Sequence, residues 1–232
     1  MGGPVYELRQ DTLHPGSRET LVRLFDEHFV EGQEEHGIQV IGQFRDLGRP
    51  DHFVWIRGFD NVEARTTALE GFYSGAAWKA QGRRASAVMA GPGEVRLLRP
   101  AYPGSGFEHD PEIRPRRSHP ERRGEGGFVV AHLHVFARSL EDNFCARFRA
   151  EVAPALAVTG TPPLAELVTE SAPNSFPRLP VREGEHVFVW LVAYPDRATE
   201  RASARMLSRI LPGLRSLSPS EPERLLLGPT RR

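Results

Sequence analysis

The strongest constraint on the fold is a seven-residue segment that occurs twice. Residues 53–59 are FVWIRGF, and residues 188–194 are FVWLVAY. An acidic residue and a helix-forming stretch follow each copy. Aligning the two copies also brings residues 94–98 loosely into line with residues 223–227. Internal similarity on this scale predicts two copies of one small fold on a single chain.

Hydrophobic periodicity gives both copies the same order of elements. Alternating segments predict strands, and helical spacing of apolar residues predicts helices. The predicted strands are residues 5–13, 38–45, 53–59, 95–99, 128–137, 164–169, 187–194 and 224–227, and the predicted helices are residues 17–37, 61–81, 140–158 and 198–211. The order β-α-β-β-α-β is that of the ferredoxin-like unit. We therefore predict an α+β fold with two tandem ferredoxin-like units.

Composition indicates where the copies are joined. Residues 101–127 are rich in Pro, Gly, Arg and Glu, so they cannot bury enough apolar surface to offset the entropy of ordering. We predict a first domain over residues 1–100, a linker over 101–127, and a degenerate second copy over 128–232. The second copy departs most in a long loop at 171–185, which either shapes the mouth of a pocket or is an insertion without function.

Charge and composition exclude several classes of function. Thirty Lys and Arg residues balance thirty Asp and Glu residues, so no overall field favours nucleic acid. No apolar run approaches the ~18 residues of a membrane span, so we expect no membrane partner. The single cysteine, Cys145, rules out an intramolecular disulfide and is typical of a reducing compartment. With no secretory signal at the N-terminus, we expect a cytoplasmic protein.

Several short motifs resemble a known family. They are YELR at residues 6–9, LHPG at 13–16, GQF at 42–44, VW at 54–55 and FYSGAAWK at 72–79. This set closely resembles the NIPSNAP family, with a good match over residues 5–100. The chain departs from the family at Asp11, where its relatives usually carry an aromatic residue.

The resemblance implies a fold rather than a reaction. NIPSNAP proteins belong to the dimeric α/β-barrel group, in which the sheets of two ferredoxin-like units face each other to make a barrel. Such a barrel would close within this chain or between the chains of a homo-oligomer. The wider group includes cofactor-free monooxygenases and cyclases of aromatic polyketides, haem enzymes, and proteins that only bind small molecules, so the fold alone does not assign an activity.

Strand alternation predicts which side chains meet inside that barrel. We take Tyr6 and Leu8 as the helix-facing pair of the first strand, and the repeat then places His132, His134 and Phe136 opposite Glu7, Arg9 and Asp11. The predicted interior contains Glu7, Arg9, Gln43, Arg45, Trp55, Arg57, His132, His134 and Trp190. These residues would form either a pocket for a small molecule or a salt-bridge network of Glu7, Arg9 and Arg57 that fills the barrel.

The favoured hypothesis is an enzyme of secondary metabolism that holds an aromatic or polyketide-like substrate between Trp55 and Trp190. Its catalytic residues would be His132 and His134, which move a proton, and Arg9, which stabilises an oxyanion or enolate. The substrate-binding residues would be Glu7, Gln43, Arg45, Trp55, Arg57 and Trp190. No phosphate loop, dinucleotide fingerprint or cysteine cluster is present, which favours cofactor-independent oxygenation, isomerisation or cyclisation.

Two alternatives remain at this stage. The first is a non-catalytic small-molecule-binding or assembly protein that uses the barrel as a scaffold. The second is a metal-dependent enzyme, because His132 and His134 have the strand spacing that metal sites use and His186 falls on the same face of the second copy. Zinc or iron would suit such a set.

Overall fold

The computed structural model describes residues 2–107, 127–136, 141–210, 212 and 221–230. The chain forms two compact units. Unit 1 contains Met1–Arg99, Glu170–Glu183 and Pro229–Arg232, and unit 2 contains Pro100–Thr169 and Gly184–Gly228. Most of the predicted linker at 101–127 lies outside the described residues. The predicted loop of the second copy differs from expectation, because residues 170–183 belong to unit 1.

Unit 1 is an antiparallel sheet covered on one face by helices. Its strands are β1 (Val5–Thr12), β2 (Gln39–Asp46), β3 (His52–Phe59) and β4 (Glu94–Pro100), which lie in the order β4-β1-β3-β2. Its helices are α1 (Arg18–Leu24), a π-helical turn (Phe25–Phe29), α2 (Val30–Glu34), α3 (Val62–Ser74) and α4 (Ala76–Val88). The predicted helix at 61–81 is thus two helices.

Local sequence explains where the helices of unit 1 begin and end. The side chain of Asn61 accepts a hydrogen bond from the backbone N–H of Ala64 at 2.8 Å and caps the start of α3. Gly75 is extended, with a ψ of 171°, and separates α3 from α4. Gly37 has a φ of +78°, in the left-handed region that glycine adopts without strain, and terminates the first helical segment before β2.

Unit 2 has the same order of elements. Its strands are β5 (Phe128–Phe136), β6 (Pro163–Thr169), β7 (His186–Tyr194) and β8 (Glu223–Pro229), which lie in the order β6-β7-β5-β8. Its helices are α5 (Glu141–Arg147), a π-helical turn (Phe148–Val152), α6 (Ala153–Val158) and α7 (Arg197–Leu207). Both units are therefore α+β. Among the described residues, no helix is long and apolar enough to cross a membrane.

The same aromatic contact recurs in both units, at the π-helical turn. Phe25 opens the turn of unit 1 and packs on Phe53 and Trp55 of β3, with ring centroids 4.9 and 4.8 Å apart. In unit 2 Phe148 opens the turn and packs on Phe188 and Trp190 of β7, at 5.0 and 5.1 Å. The repeated segment is therefore the centre of the helix-facing core in each unit.

The predicted orientation of the first strand is wrong. Val5 and Leu13 belong to the core beneath the helices, together with Phe53 and Trp55 of β3. Strand alternation then puts Glu7, Arg9 and Asp11 on the helix-covered face and Tyr6 and Leu8 on the opposite one. The apolar residues were expected to face the helices, but almost every residue of β1 is buried, so polarity did not distinguish its faces.

Candidate functional site

A buried cluster of charges lies between the sheet and helices of unit 1. Glu7 of β1 accepts a hydrogen bond from Nε of Arg57 on β3 at 2.8 Å and one from Nε of Arg65 on α3 at 2.7 Å. All three side chains are fully buried. Burial by itself would raise the pKa of Glu7, but the charges of Arg57, Arg65 and Arg9 outweigh it and lower the pKa to about 2. Glu7 is therefore an ionised carboxylate.

Gln33 connects this cluster to the π-helical turn. Its Oε1 accepts a hydrogen bond from Nη1 of Arg57 at 3.0 Å, and its Nε2 donates to the carbonyl of Phe29 at 3.1 Å. The turn thus stands over the charged centre of the sheet, in keeping with the frequent occurrence of π-helical turns at functional sites.

Arg9 is the cation at the edge of the cluster, and it is only 7% exposed. Its guanidinium lies over the ring of Trp55, 5.0 Å from the centroid. The nearest carboxylate oxygens belong to Glu7 at 3.6 Å and Asp11 at 3.8 Å, both beyond ordinary hydrogen-bond length. Nε and Nη1 are buried without a hydrogen-bond partner. Burial would lower the pKa of Arg9, but Asp11, Tyr73 and Glu7 raise it, so the guanidinium stays charged.

Asp11 is the carboxylate beside Arg9. Its Oδ2 accepts a hydrogen bond from Nε1 of Trp55 at 2.8 Å. Its Oδ1 is buried and has no hydrogen-bond partner. One oxygen of Asp11 is thus held by the indole, and the other is a buried acceptor without a hydrogen-bond donor.

Arg9 and Asp11 both line a cavity of about 280 Å³ in unit 1. Seven of the lining residues are aromatic, and the segment 170–183 contributes three. The full lining is Arg9, Asp11, Leu21, Phe25, Phe29, Gln33, Trp55, Phe72, Tyr73, Trp78, Ala85, Ser86, Met89, Phe176, Arg178 and Leu179. Aromatic walls with a few convergent polar groups are typical of small-molecule sites.

The structure brings only some of the predicted site residues to this cavity. Arg9 and Trp55 line it, while Glu7 and Arg57 form the charged cluster beside it. Arg45 is bound to Glu19 of α1 at 2.6 Å, and Gln43 is buried on β2 without lining the cavity. The structure thus assigns neither Gln43 nor Arg45 to the site.

The predicted histidines lie beneath the helices of unit 2. The ring of His132 stacks on Trp190 with centroids 4.0 Å apart, and His134 accepts a hydrogen bond from Nε1 of Trp190 at 3.2 Å. Burial, helped by His134 and Arg224, lowers the pKa of His132 to about 3. Burial lowers the pKa of His134 to about 4. Both imidazoles are neutral at physiological pH.

The register of the strands corrects the predicted correspondence between the copies. Arg9 is paired with Trp55 across β1 and β3, and His132 is paired with Trp190 across β5 and β7. His132 therefore occupies the position of Arg9, and His134 that of Asp11, two residues away from the predicted alignment. The error arose because the first strands share too little sequence to fix their register by themselves.

Each of the two tryptophans lines a cavity of its own unit, and a single site that holds a substrate between Trp55 and Trp190 stays a prediction. The unit 2 cavity has a volume of about 260 Å³. Its lining is Val130, His132, Trp190, Tyr194, Glu200, Ala204, Leu207, Ser208, Pro212 and Arg224. His186, the third predicted metal candidate, is paired with Phe136 where β7 begins. Within the described ranges, no three His, Cys, Asp or Glu side chains converge as a metal site.

The part of the chain that forms most of the unit 1 cavity is also the part that matches a known family. Residues 6–102 match the model of the NIPSNAP family. These residues are a NIPSNAP domain. They supply most of the cavity lining of unit 1, from Arg9 to Met89. The departure at Asp11 was the signal in the sequence that could have identified a second polar residue of the site.

Solved structures resemble the chain over nearly its whole length. A proposed monooxygenase from Lactobacillus acidophilus NCFM is 12% identical with a TM-score of 0.60, over 98% of this chain and 94% of that one. Another from Fusobacterium nucleatum is 10% identical with a TM-score of 0.62, over 99% and 94%. An anthrone oxidase-like protein is 12% identical with a TM-score of 0.55, over 99% and 92%. At these identities the likeness shows the fold alone. No curated protein matches the chain.

Proposed function

We propose that the unit 1 cavity binds an aromatic small molecule with an acidic hydroxyl or C–H group, and that the chain oxygenates this molecule without a cofactor. The observation that carries the proposal is Arg9, which lines an aromatic cavity and whose buried guanidinium has unused N–H groups beside a carboxylate oxygen that lacks a donor. The monooxygenase and anthrone oxidase names of the structural neighbours agree with this class of reaction.

The charge of the cluster favours an anionic ligand. Three guanidinium groups, those of Arg9, Arg57 and Arg65, meet only two carboxylates, those of Glu7 and Asp11. One positive charge is therefore in excess. A buried cation without hydrogen-bond partners is costly, so a negatively charged oxygen placed against Arg9 would be stabilised.

The walls of the cavity favour a planar ligand with few rings. Aromatic side chains offer faces and edges to a ring placed between them. The cavity volume of about 280 Å³ lies at the low end of the ~300–1,000 Å³ of ligand pockets. A molecule of two or three fused rings is the class that we propose.

Asp11 and Arg9 together supply the chemistry. Oδ1 of Asp11 takes a proton from a ring CH₂ group, and the resulting carbanion delocalises its charge onto an oxygen beside Arg9. The carbanion reduces O₂ and forms a C–O bond, and Asp11 returns the proton to give a hydroperoxide. Loss of the second hydrogen as a proton and of the terminal oxygen as hydroxide leaves a ketone and water. The balance is CH₂ + O₂ → C=O + H₂O.

The architecture around this site is part of the proposal. We infer that the two units are tandem ferredoxin-like copies, supported by their shared order of elements and by the equivalent contacts of Phe25 and Phe148. The neutral histidines of unit 2 are then the degenerate counterparts of Arg9 and Asp11. A barrel between the sheets, a role in secondary metabolism and a homo-oligomer stay predictions.

The test uses two probes. Absorbance titration with 4-nitrophenolate measures anion binding, and oxygen consumption with anthrone measures turnover. We expect Arg9→Gln to weaken 4-nitrophenolate binding about tenfold or more, the loss of one charge-assisted contact. Arg182→Gln removes the same charge from outside the cavity and is the matched control. Unchanged binding by Arg9→Gln would contradict the site. Binding without oxygen consumption would favour the non-catalytic alternative.

A further inference from the structure

We propose that Arg178 selects aromatic ligands that carry a carboxylate, so that the proposed substrate is a hydroxy- or oxo-aromatic acid. This inference rests on the proposed function of the unit 1 cavity. It concerns the outer end of that cavity, where the segment 170–183 lies.

Both ends of this segment are bonded to β4. The backbone N–H of Glu170 donates to the carbonyl of Leu97 at 2.9 Å, and that of Arg182 donates to the carbonyl of Val95 at 2.8 Å. The segment therefore forms a loop whose two ends lie beside each other on β4. Its position is fixed by backbone hydrogen bonds, which do not depend on particular side chains.

The centre of the segment is bonded to α3. Nη1 of Arg65 donates to Oδ1 of Asn174 at 3.1 Å, and Oγ1 of Thr66 donates to Oγ of Ser175 at 2.6 Å. Phe176 is buried and stacks on Tyr73, with ring centroids 5.8 Å apart and planes 15° apart. Because Arg65 also holds Glu7, the outer wall and the charged cluster share one guanidinium. The segment 170–183 is thus linked to the charged cluster through Arg65.

Arg178 lies on this segment, and its guanidinium is accessible to a ligand. It lines the cavity, is exposed, and packs over the ring of Phe176 at 5.9 Å. No carboxylate of the described residues forms an ion pair with it. Arg182, four positions further along, is instead bound to Glu94 at 2.9 Å. The segment therefore offers one paired and one unpaired guanidinium, and the unpaired one faces the cavity.

The two cations of the described residues that line the cavity differ in depth. Arg9 is buried and Arg178 is exposed, so one lies at the inner end and the other at the mouth. A ligand whose ionised oxygen reaches Arg9 would present the far side of its ring system to Arg178. A carboxylate there matches the planar fork of a guanidinium, which binds carboxylates with two parallel hydrogen bonds.

The test compares two probes that differ by one carboxylate. Quenching of tryptophan fluorescence gives the affinity of the whole chain for 2-naphthol and for 6-hydroxy-2-naphthoate. We expect the acid to bind about tenfold more tightly to the wild type, as one charge-assisted pair allows. Arg178→Gln should remove this preference by weakening the binding of the acid about tenfold. Arg182→Gln, the matched control, should keep the preference.

The outcomes separate this inference from the proposed function. If both probes bind equally well and only Arg9→Gln weakens them, Arg178 is not a specificity residue and the cavity stands. If Arg182→Gln removes the preference as fully as Arg178→Gln does, the preference comes from the overall positive charge of the segment and not from Arg178 in particular. The inference is then overturned. If neither probe binds, both the inference and the proposed function fail.

Discussion

Nε1 of Trp55 donates a hydrogen bond to Oδ2 of Asp11 at 2.8 Å. Trp190 makes the same bond to His134 at the equivalent position of unit 2, at 3.2 Å. In each unit the bond orients an indole at the centre of the helix-facing core. Only in unit 1 is the acceptor a carboxylate, whose second oxygen is buried without a hydrogen-bond donor.

Asp11→Asn should abolish turnover while preserving the indole bond. The amide oxygen can still accept from Trp55, but it cannot take a proton, and general bases contribute roughly 10²–10⁴-fold to rates. We expect oxygen consumption with anthrone to fall by at least about 100-fold, with 4-nitrophenolate binding retained. Asp60→Asn, which neutralises an exposed carboxylate, is the control. Wild-type turnover in Asp11→Asn would remove Asp11 from the mechanism.

Gly93→Ala should displace the carboxylate of Asp11 without changing Asp11 itself. A Cβ added at Gly93 would lie 1.9 Å from Oδ1 of Asp11, so the carboxylate must move. A displacement of this size costs roughly 10–100-fold in rate when it misplaces a reacting group. We expect that loss of turnover with a melting temperature close to that of the wild type.

A double variant provides the check on this second prediction. Because Gly93→Ala is expected to act through Asp11, it should add little to the loss already caused by Asp11→Asn. Fully multiplicative losses in the double variant would mean that Gly93→Ala acts by another route.

Glu7→Gln should destabilise the protein more than any surface variant. It removes the carboxylate that holds two fully buried guanidinium groups, those of Arg57 and Arg65. Breaking a buried pair in this way costs about 3–5 kcal/mol. Urea denaturation measures the loss, and Glu19→Gln, which breaks an exposed pair with Arg45, should cost less than about 1 kcal/mol. Equal losses in the two variants would show that the buried cluster adds no stability.

The carboxylate of Glu7 should also make the stability of the folded protein fall at acidic pH. The pKa of Glu7 is about 2 in the folded protein against an ordinary value of 4.5. Because the pKa of Glu7 is lower in the folded protein than in the unfolded chain, the stabilising contribution of Glu7 is complete above pH 4.5 and is lost as the pH falls towards 2. The contribution corresponds to about 3 kcal/mol. We expect urea midpoints to fall over this window in the wild type and to fall less in Glu7→Gln.

His134 should make stability depend on pH in a higher window. Its pKa is about 4 in the folded protein against an ordinary value of 6.5. As the pH falls, His134 is therefore protonated in the unfolded chain before it is protonated in the folded protein. The free energy of unfolding consequently falls as the pH drops from 6.5 towards 4. His134→Gln keeps an acceptor for Trp190 and does not titrate, so it should make the loss of stability over this window smaller and leave the part that comes from His132, whose pKa is lowered to about 3. A profile identical to that of the wild type would show that His134 is not the titrating group.

Much of the fold was predictable because it depends on local periodicity. The strands at 53–59 and 188–194 were located from alternation and from their repetition, and the structure places them in β3 and β7. The π-helical turns were not predictable, since nothing in the spacing of Phe25 or Phe148 distinguishes such a turn from an α-helix. The break at Gly75 was likewise missed, because a single glycine is tolerated inside many helices.

The site was predictable only in part. Arg9 and Trp55 were identified as site residues, and both line the unit 1 cavity. The histidines were chosen because His132 and His134 share a strand face, but their surroundings make them neutral and place them in the other unit. Phe176 and Arg178 escaped notice because the segment 170–183 joins a unit that lies far from it in sequence.

The sequence by itself determined that the chain is α+β, that its motif FVW occurs twice, and that residues 6–102 carry the NIPSNAP pattern. Tertiary structure alone decided that Glu7, Arg9 and Asp11 lie beneath the helices and that Arg178 lines the same cavity as Arg9 and Asp11. The reason is physical. Alternation along a strand divides its residues between two faces, but which face the helices cover depends on partners such as Arg65 that are distant in sequence.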